Sequence, residues 1–73
     1  MKIFLRFFDT KAVEEKILIH TVKLDFAPSL NEHIKFEGTD YVVYSSEIEV
    51  FRDGTSACSF NAMPAKDTEG SRF

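Results

Sequence analysis

"YVVYSSEIEVFRDGTSACSFNAM", residues 41–63, carries the clearest fold signal in this chain. It holds two runs rich in β-branched, aromatic and small apolar residues, a composition typical of strands. Between the runs lies "RDGT", in which Asp53-Gly54 favours a tight turn that joins two antiparallel strands. The stretch therefore predicts a β-hairpin, with one strand over residues 41–51 and the next over residues 56–63.

Alternation of side chains along this hairpin assigns its faces. Glu47 and Glu49 mark the face of the first strand that meets water. The other face of that strand is predicted to hold Val42, Tyr44, Ser46, Ile48 and Val50. In the second strand the inward side chains are predicted to be Cys58, Phe60 and Ala62, and the outward ones Ser59 and Asn61. A proline cannot donate to a ladder, so Pro64 is predicted to end the strand.

A short strand and two turns are predicted upstream of the hairpin. Ile34 and Phe36 alternate with polar residues, and Gly38 supplies the positive φ of a tight turn before the next strand. Pro28 interrupts any ladder in the preceding loop, and Asn31 suits a left-handed turn position.

The N-terminal segments "KIFLRFF", residues 2–8, and "KILIHTVKLDF", residues 16–26, are predicted to be two further strands. Residues 9–16 are interpreted as a hairpin connection between them rather than a helix, since one helical turn is too short to be stable. Where the apolar pattern of the second segment switches face, near His20-Thr21, we expect a bend or a β-bulge.

These signals predict an all-β fold: a small five-stranded antiparallel barrel or a strongly bent sheet. It forms a single domain over residues 1–63, followed by a flexible C-terminal tail over residues 64–73. The stretch "LDFAPSLNEHIKFEGTDYVVYSSEIEV" resembles a pattern common in small SH3-like barrels, with Asn31-Glu32 where that pattern has Gly-Asp. The resemblance implies a barrel topology and no site residues.

Composition bounds the function. The 73 residues carry a net charge of −3, which argues against direct binding to nucleic acid through its phosphates. The single cysteine, Cys58, excludes an internal disulfide and suits a reducing compartment. The N-terminal segment lacks a signal-peptide pattern, and no apolar run has the length of a membrane span. We expect a cytoplasmic protein that does not bind membranes.

No pattern of residues predicts an enzyme or a cofactor. His20, His33 and Cys58 lack the close pairing typical of zinc ligands, and nothing in the sequence places either histidine beside the cysteine. Glu47 and Glu49 lie about 6–7 Å apart on one strand face, a spacing that catalytic carboxylates share with ordinary solvated ones. We expect no catalytic residue, no metal and no cofactor.

Phe4 and Phe8 are apolar residues on the face of the first strand that also carries Lys2 and Arg6. With Ile17 and Ile19 on the next strand they are predicted to form an apolar patch. Three arrangements would bury the patch: cover by residues 9–16 or by the tail with Phe73, a bent layer with two small cores, or a second chain. A domain this small has a marginal core, so we favour the second chain, most simply a homodimer through the N-terminal hairpin.

These observations favour a small non-catalytic protein-binding module, with a protein partner that is most simply a second copy. The alternative uses an acidic surface formed by Glu32, Glu37, Asp40, Glu47 and Glu49. Such a surface could occupy a cationic nucleic-acid channel. This interpretation predicts an inhibitor of a nucleic-acid-handling enzyme, of the kind that phages and mobile elements encode. Many anti-CRISPR proteins are similar in size and acidity, but no motif links this chain to them.

A further alternative is a platform for single-stranded nucleic acid. Lys2 and Arg6 alternate with Phe4 and Phe8, and such platforms stack bases on rings between cations. The negative charge of the chain counts against it.

Overall fold

Five strands make up most of the described chain. The computed structural model describes residues 1–12 and 15–65, with side chains at residues 1–9 and 16–65. The strands are β1 (Lys2–Ala12), β2 (Glu15–Leu24), β3 (His33–Phe36), β4 (Thr39–Val50) and β5 (Ser56–Pro64). The all-β prediction is confirmed. The first strand is longer than predicted and the second ends two residues earlier. Pro64, assigned by the sequence to a tail over residues 64–73, is instead the last and buried residue of β5, and residues 66–73 lie outside the described residues.

The strands form one sheet in the order β2-β1-β5-β4-β3, curled into a half-barrel. The pairs β1–β2, β3–β4 and β4–β5 are antiparallel, as expected from the hairpin connections predicted between them. The prediction of a wholly antiparallel sheet is wrong for β1 and β5, which are parallel neighbours at the centre. No turn joins these two strands directly, so the sequence carried no local signal of their direction.

The core lies on the concave inner face of the half-barrel. Its buried members are Leu5, Phe7, Tyr41, Val43, Cys58, Phe60 and Ala62. Phe7 is the central ring: it stacks on Phe36 at 4.3 Å between centroids and meets Tyr41 edge-on at 4.9 Å. The predicted inward face of β5 is confirmed, since Cys58, Phe60 and Ala62 all belong to this core.

A β-bulge in β4 overturns the predicted alternation of that strand. The register passes from Val43 opposite Ala62 to Ser45 opposite Asn61, so Tyr44 is the extra residue. A bulge shifts every later side chain to the other face. The inner face of β4 therefore changes from odd-numbered to even-numbered residues. The prediction that Val42 and Tyr44 share a face with Ile48 and Val50 is wrong.

A second bulge lies in β2, next to the predicted position. The register passes from His20 opposite Phe7 to Leu18 opposite Phe8, which leaves Ile19 as the extra residue. The change of apolar pattern near His20 predicted this irregularity to within one residue.

The predicted turn residues are confirmed by their backbone angles. Glu37 and Gly38 both have positive φ, 50° and 81°, which is the two-residue turn that matches the twist of an antiparallel hairpin. Asn31 lies in the left-handed region at φ 70°, and Gly54 has φ 90° in the β4–β5 turn.

Candidate protein interface

Arg6 separates the two phenylalanines on the outer face of β1. Phe4 and Phe8 are each half-buried, and the Arg6 guanidinium carbon lies 5.9 Å from the centroid of the Phe8 ring. The Arg6 Nε donates a hydrogen bond to Asn61 Oδ1 at 2.8 Å, and its guanidinium also pairs with Glu47. A polar residue therefore lies between the two rings, which do not form one apolar patch.

The outer face also buries side chains of its own. Asn61, which the sequence placed outward, is only 7% exposed, and its Nδ2 donates to Ser45 Oγ at 2.9 Å. Val42 is buried as well, and its register partner Met63 alternates with the inward residues of β5. Both faces of the sheet therefore bury side chains, whereas the apolar core cluster of the described residues lies on the inner face.

The bulge in β2 changes which apolar side chains accompany Phe8. Directly opposed residues of antiparallel strands share a face. Leu18 is opposite Phe8, whereas Ile17 is opposite Asp9 and belongs to the other face. Leu18 was not among the predicted interface residues, and the change of apolar pattern near His20 was the one signal that could have identified it.

Among the described apolar side chains of β1 and β2, the two most exposed lie at this bulge. Leu18 is 51% exposed and Ile19 46% exposed, whereas Ile17 is half-buried. We call Phe8, Leu18 and Ile19 the hairpin patch. Of the four predicted interface residues, the structure therefore leaves Ile19 most exposed and partly shelters the others.

β2 is an edge strand of the sheet. Its side chains nevertheless reach the far strands: the His20 ring stacks on Phe36 of β3 with centroids 5.2 Å apart, and Lys16 Nζ lies 4.5 Å from the ring centroid of Tyr44 on β4. These contacts stabilise the curvature of the half-barrel and orient the edge on which the hairpin patch lies.

The predicted acidic residues are mostly engaged by neighbours. Glu47 pairs with Arg6, Asp40 Oδ2 lies 2.8 Å from His33 Nδ1, and Glu32 Oε1 accepts the backbone N–H of Ser29 at 2.8 Å. The remaining two, Glu37 and Glu49, are exposed near opposite ends of β4. The five carboxylates are thus spread along the surface of the chain rather than gathered in one strip.

The candidate chemical groups are placed apart. Cys58 is buried in the core, His20 stacks on Phe36, and His33 faces Asp40. Within residues 1–12 and 15–65, no three histidine, cysteine, aspartate or glutamate side chains are grouped closely enough to hold a metal ion. Burial, with smaller contributions from Asp9 and Glu37, raises the pKa of the Tyr41 phenol above its ordinary value of 10.0.

In the described part of the chain, no helix has the length and apolarity needed to cross a membrane. Comparison of the chain with protein-family models, with curated proteins and with solved structures found no significant match. Function is therefore inferred from the geometry of this chain alone.

Proposed function

We propose that this chain is a small non-catalytic protein-binding module that associates through its N-terminal hairpin, most simply with a second copy of itself. The observation that supports it is the hairpin patch. Leu18 and Ile19 each leave about half of their surface in water on an edge strand, beside the half-buried ring of Phe8.

Energetics favour burial of this patch. Covering the exposed half of a leucine or isoleucine is worth about 1 kcal/mol, and a two-fold contact counts every side chain twice. A domain of this size has a stability of about 3–5 kcal/mol, so a gain of this order is a large fraction of the total. Covering the patch also removes an edge strand that invites uncontrolled pairing.

The test is the effect of Ile19→Asp on self-association, measured by sedimentation equilibrium at micromolar concentrations. A two-fold contact would place two carboxylates against apolar surface, so we expect the dissociation constant of the hairpin contact to rise roughly 100-fold. Asn31→Asp is the matched control. It adds the same charge at an exposed position whose φ of 70° suits aspartate, and it is expected to leave the association unchanged.

Circular dichroism would verify that both variants fold, as expected for exposed positions. A wild-type protein that is monomeric at these concentrations, or an Ile19→Asp variant that associates as tightly as Asn31→Asp, would refute the proposed contact.

The acidic alternative, an inhibitor that mimics nucleic acid, makes a different prediction. Its binding to a cationic enzyme would weaken steeply as salt concentration rises, whereas burial of the apolar hairpin patch would not. Engagement of Glu32, Asp40 and Glu47 by their neighbours gives this alternative less support. For either function we propose a reducing compartment such as the cytoplasm, which suits the buried thiol of Cys58.

A further inference from the structure

The registers of four strands define which side chains share the concave face near the β4–β5 turn. Ile48 is opposite Cys58, Cys58 is the parallel partner of Ile3, and Ile3 is opposite Leu24. These pairs form one row across β4, β5, β1 and β2. Because paired residues point to the same side, Ile48 projects onto the same inner face as the buried thiol of Cys58.

Burial of the inner face falls from one end of the half-barrel to the other. In the row that contains Phe7, its neighbours Ala62 and Val43 are fully buried. In the row that contains Cys58, the β4 residue Ile48 is 64% exposed, and Val50, two residues farther along the same face, is 70% exposed. The core therefore ends in an uncovered apolar surface.

The length of β3 explains this gradient. β3 has four residues and pairs with β4 only as far as Val42. Its side chains Ile34 and Phe36 pack against the core at that end. β4 continues beyond this pairing to Val50 and keeps β5 as its neighbour, but among the described residues no strand pairs with its other edge there.

Two further exposed apolar residues lie at the same end of the sheet. Met1 precedes β1 and is 76% exposed, and Phe26 follows β2 and is 53% exposed. We call Met1, Phe26, Ile48 and Val50 the open-end surface. A large apolar side chain presents roughly 150–250 Å², so these four expose on the order of 500 Å² of apolar area. This area is comparable to the largest apolar patch of a typical monomer, which is often functional.

We propose that the open-end surface packs against the same surface of a second copy, so that two half-barrels face each other and share one core. A standard interface takes about 800 Å² from each partner. The open-end surface supplies on the order of 500 Å², and half-buried Ile3 and Leu24 with exposed Phe51 lie beside it. Facing sheets pack about 10 Å apart, which aligned half-barrels achieve through their inner side chains.

This contact goes beyond the proposed function, because it uses the inner face rather than the hairpin patch and does not depend on that patch. With both two-fold contacts present, the chain forms a species larger than a dimer. Sedimentation equilibrium would compare the wild-type protein with Ile48→Asp, Ile19→Asp and the double variant. Asn31→Asp is again the charge control, and Val50→Asp is a second variant of the open-end surface.

We expect the wild-type protein to exceed a dimer, each single variant at Ile48, Val50 or Ile19 to stop at the dimer, and the double variant to be monomeric. If Ile48→Asp and Val50→Asp both leave the mass distribution of wild type unchanged, the open-end contact is refuted whatever Ile19→Asp does. If Ile48→Asp lowers the mass and Ile19→Asp does not, the open-end contact stands and the hairpin contact fails. A monomeric wild-type protein refutes both.

Discussion

Arg6 explains how two phenylalanines can stand on the outer side of the first strand. Its guanidinium is held by Asn61 and Glu47 and lies near the Phe8 ring, so the cation, its partners and the ring shelter one another. The sequence alone predicted Asn61 to point outward and Glu47 to be solvated. It did not predict their bond to Arg6, because the three residues lie on three strands whose neighbourhood only the parallel β1–β5 pairing creates.

Asp53 in the β4–β5 turn offers a test of a single hydrogen-bonded carboxylate. Its Oδ1 accepts the Thr55 hydroxyl at 2.7 Å and the Thr55 backbone N–H at 3.0 Å. The hydroxyl bond contributes most and the backbone bond next in lowering the pKa of Asp53 below its ordinary value of 3.8. The two hydrogen bonds therefore stabilise the folded protein at pH values above the ordinary pKa of Asp53. That stabilisation is lost as the pH falls through the lowered pKa.

We expect Thr55→Val to raise the pKa of Asp53 part of the way back, since valine keeps the β-branched shape and removes only the hydroxyl donor. Titration of the Asp53 carboxyl by NMR would measure the change. Identical Asp53 titration curves in the two proteins would contradict the assignment of the shift to the hydroxyl.

Turns and bulges both determine where the strands lie, but the sequence predicts turns better than it predicts bulges. The turns at Gly38 and Gly54 were predictable because positive φ demands particular residues, and the short strand at Ile34 followed from alternation. The bulge at Tyr44 was not predictable, because an extra residue in a strand leaves an apolar sequence that fits strict alternation equally well. That single residue places Tyr41 and Val43 on the same inner face as Ile48 and Val50, whereas strict alternation puts the two pairs on opposite faces.

The β3–β4 turn contains a correctable strain. Glu37 has φ 50°, a left-handed conformation in which glutamate is disfavoured and asparagine is well tolerated. We expect Glu37→Asn to stabilise the protein by about 0.5–1 kcal/mol, which raises Tm by roughly 2–8 °C in a domain of this size. Thermal unfolding followed by circular dichroism measures the shift.

Glu37→Gln is the matched control for that substitution. It removes the same negative charge at the same exposed position, but glutamine gains none of the tolerance of asparagine for the left-handed region. We therefore expect Glu37→Asn to melt at a higher temperature than Glu37→Gln. Equal melting temperatures for the two variants would show that glutamate does not strain the turn and that any change in stability comes from its charge.

The stability of the entire chain depends on a core gathered from all five strands. Phe7 is 2% exposed and contacts rings from β3 and β4. Phe7→Ala removes a central ring at a cost of about 3–5 kcal/mol, which equals the full expected stability of a domain of this size. We expect the variant to be largely unfolded at 25 °C, as measured by circular dichroism and urea titration.

Phe51→Ala is the control for that experiment. Phe51 is 45% exposed beside the β4–β5 turn, so its loss is expected to cost less than about 1 kcal/mol. Similar unfolding midpoints for the two variants would contradict the placement of the core around Phe7.

The parallel pairing of β1 with β5 determines when the sheet can form during synthesis on the ribosome. Lys2 pairs with Ala57 and Phe7 with Ala62. The first strand therefore lacks one of its two neighbouring strands until β5 has been synthesised. Because the ribosome adds about 5–20 residues per second, several seconds pass between the synthesis of the N-terminal hairpin and that of β5. During this time Leu5 and Phe7 are not yet buried by β5. The sheet is therefore expected to form completely only after β5 has been synthesised, and chaperones that bind nascent apolar segments have that interval in which to act.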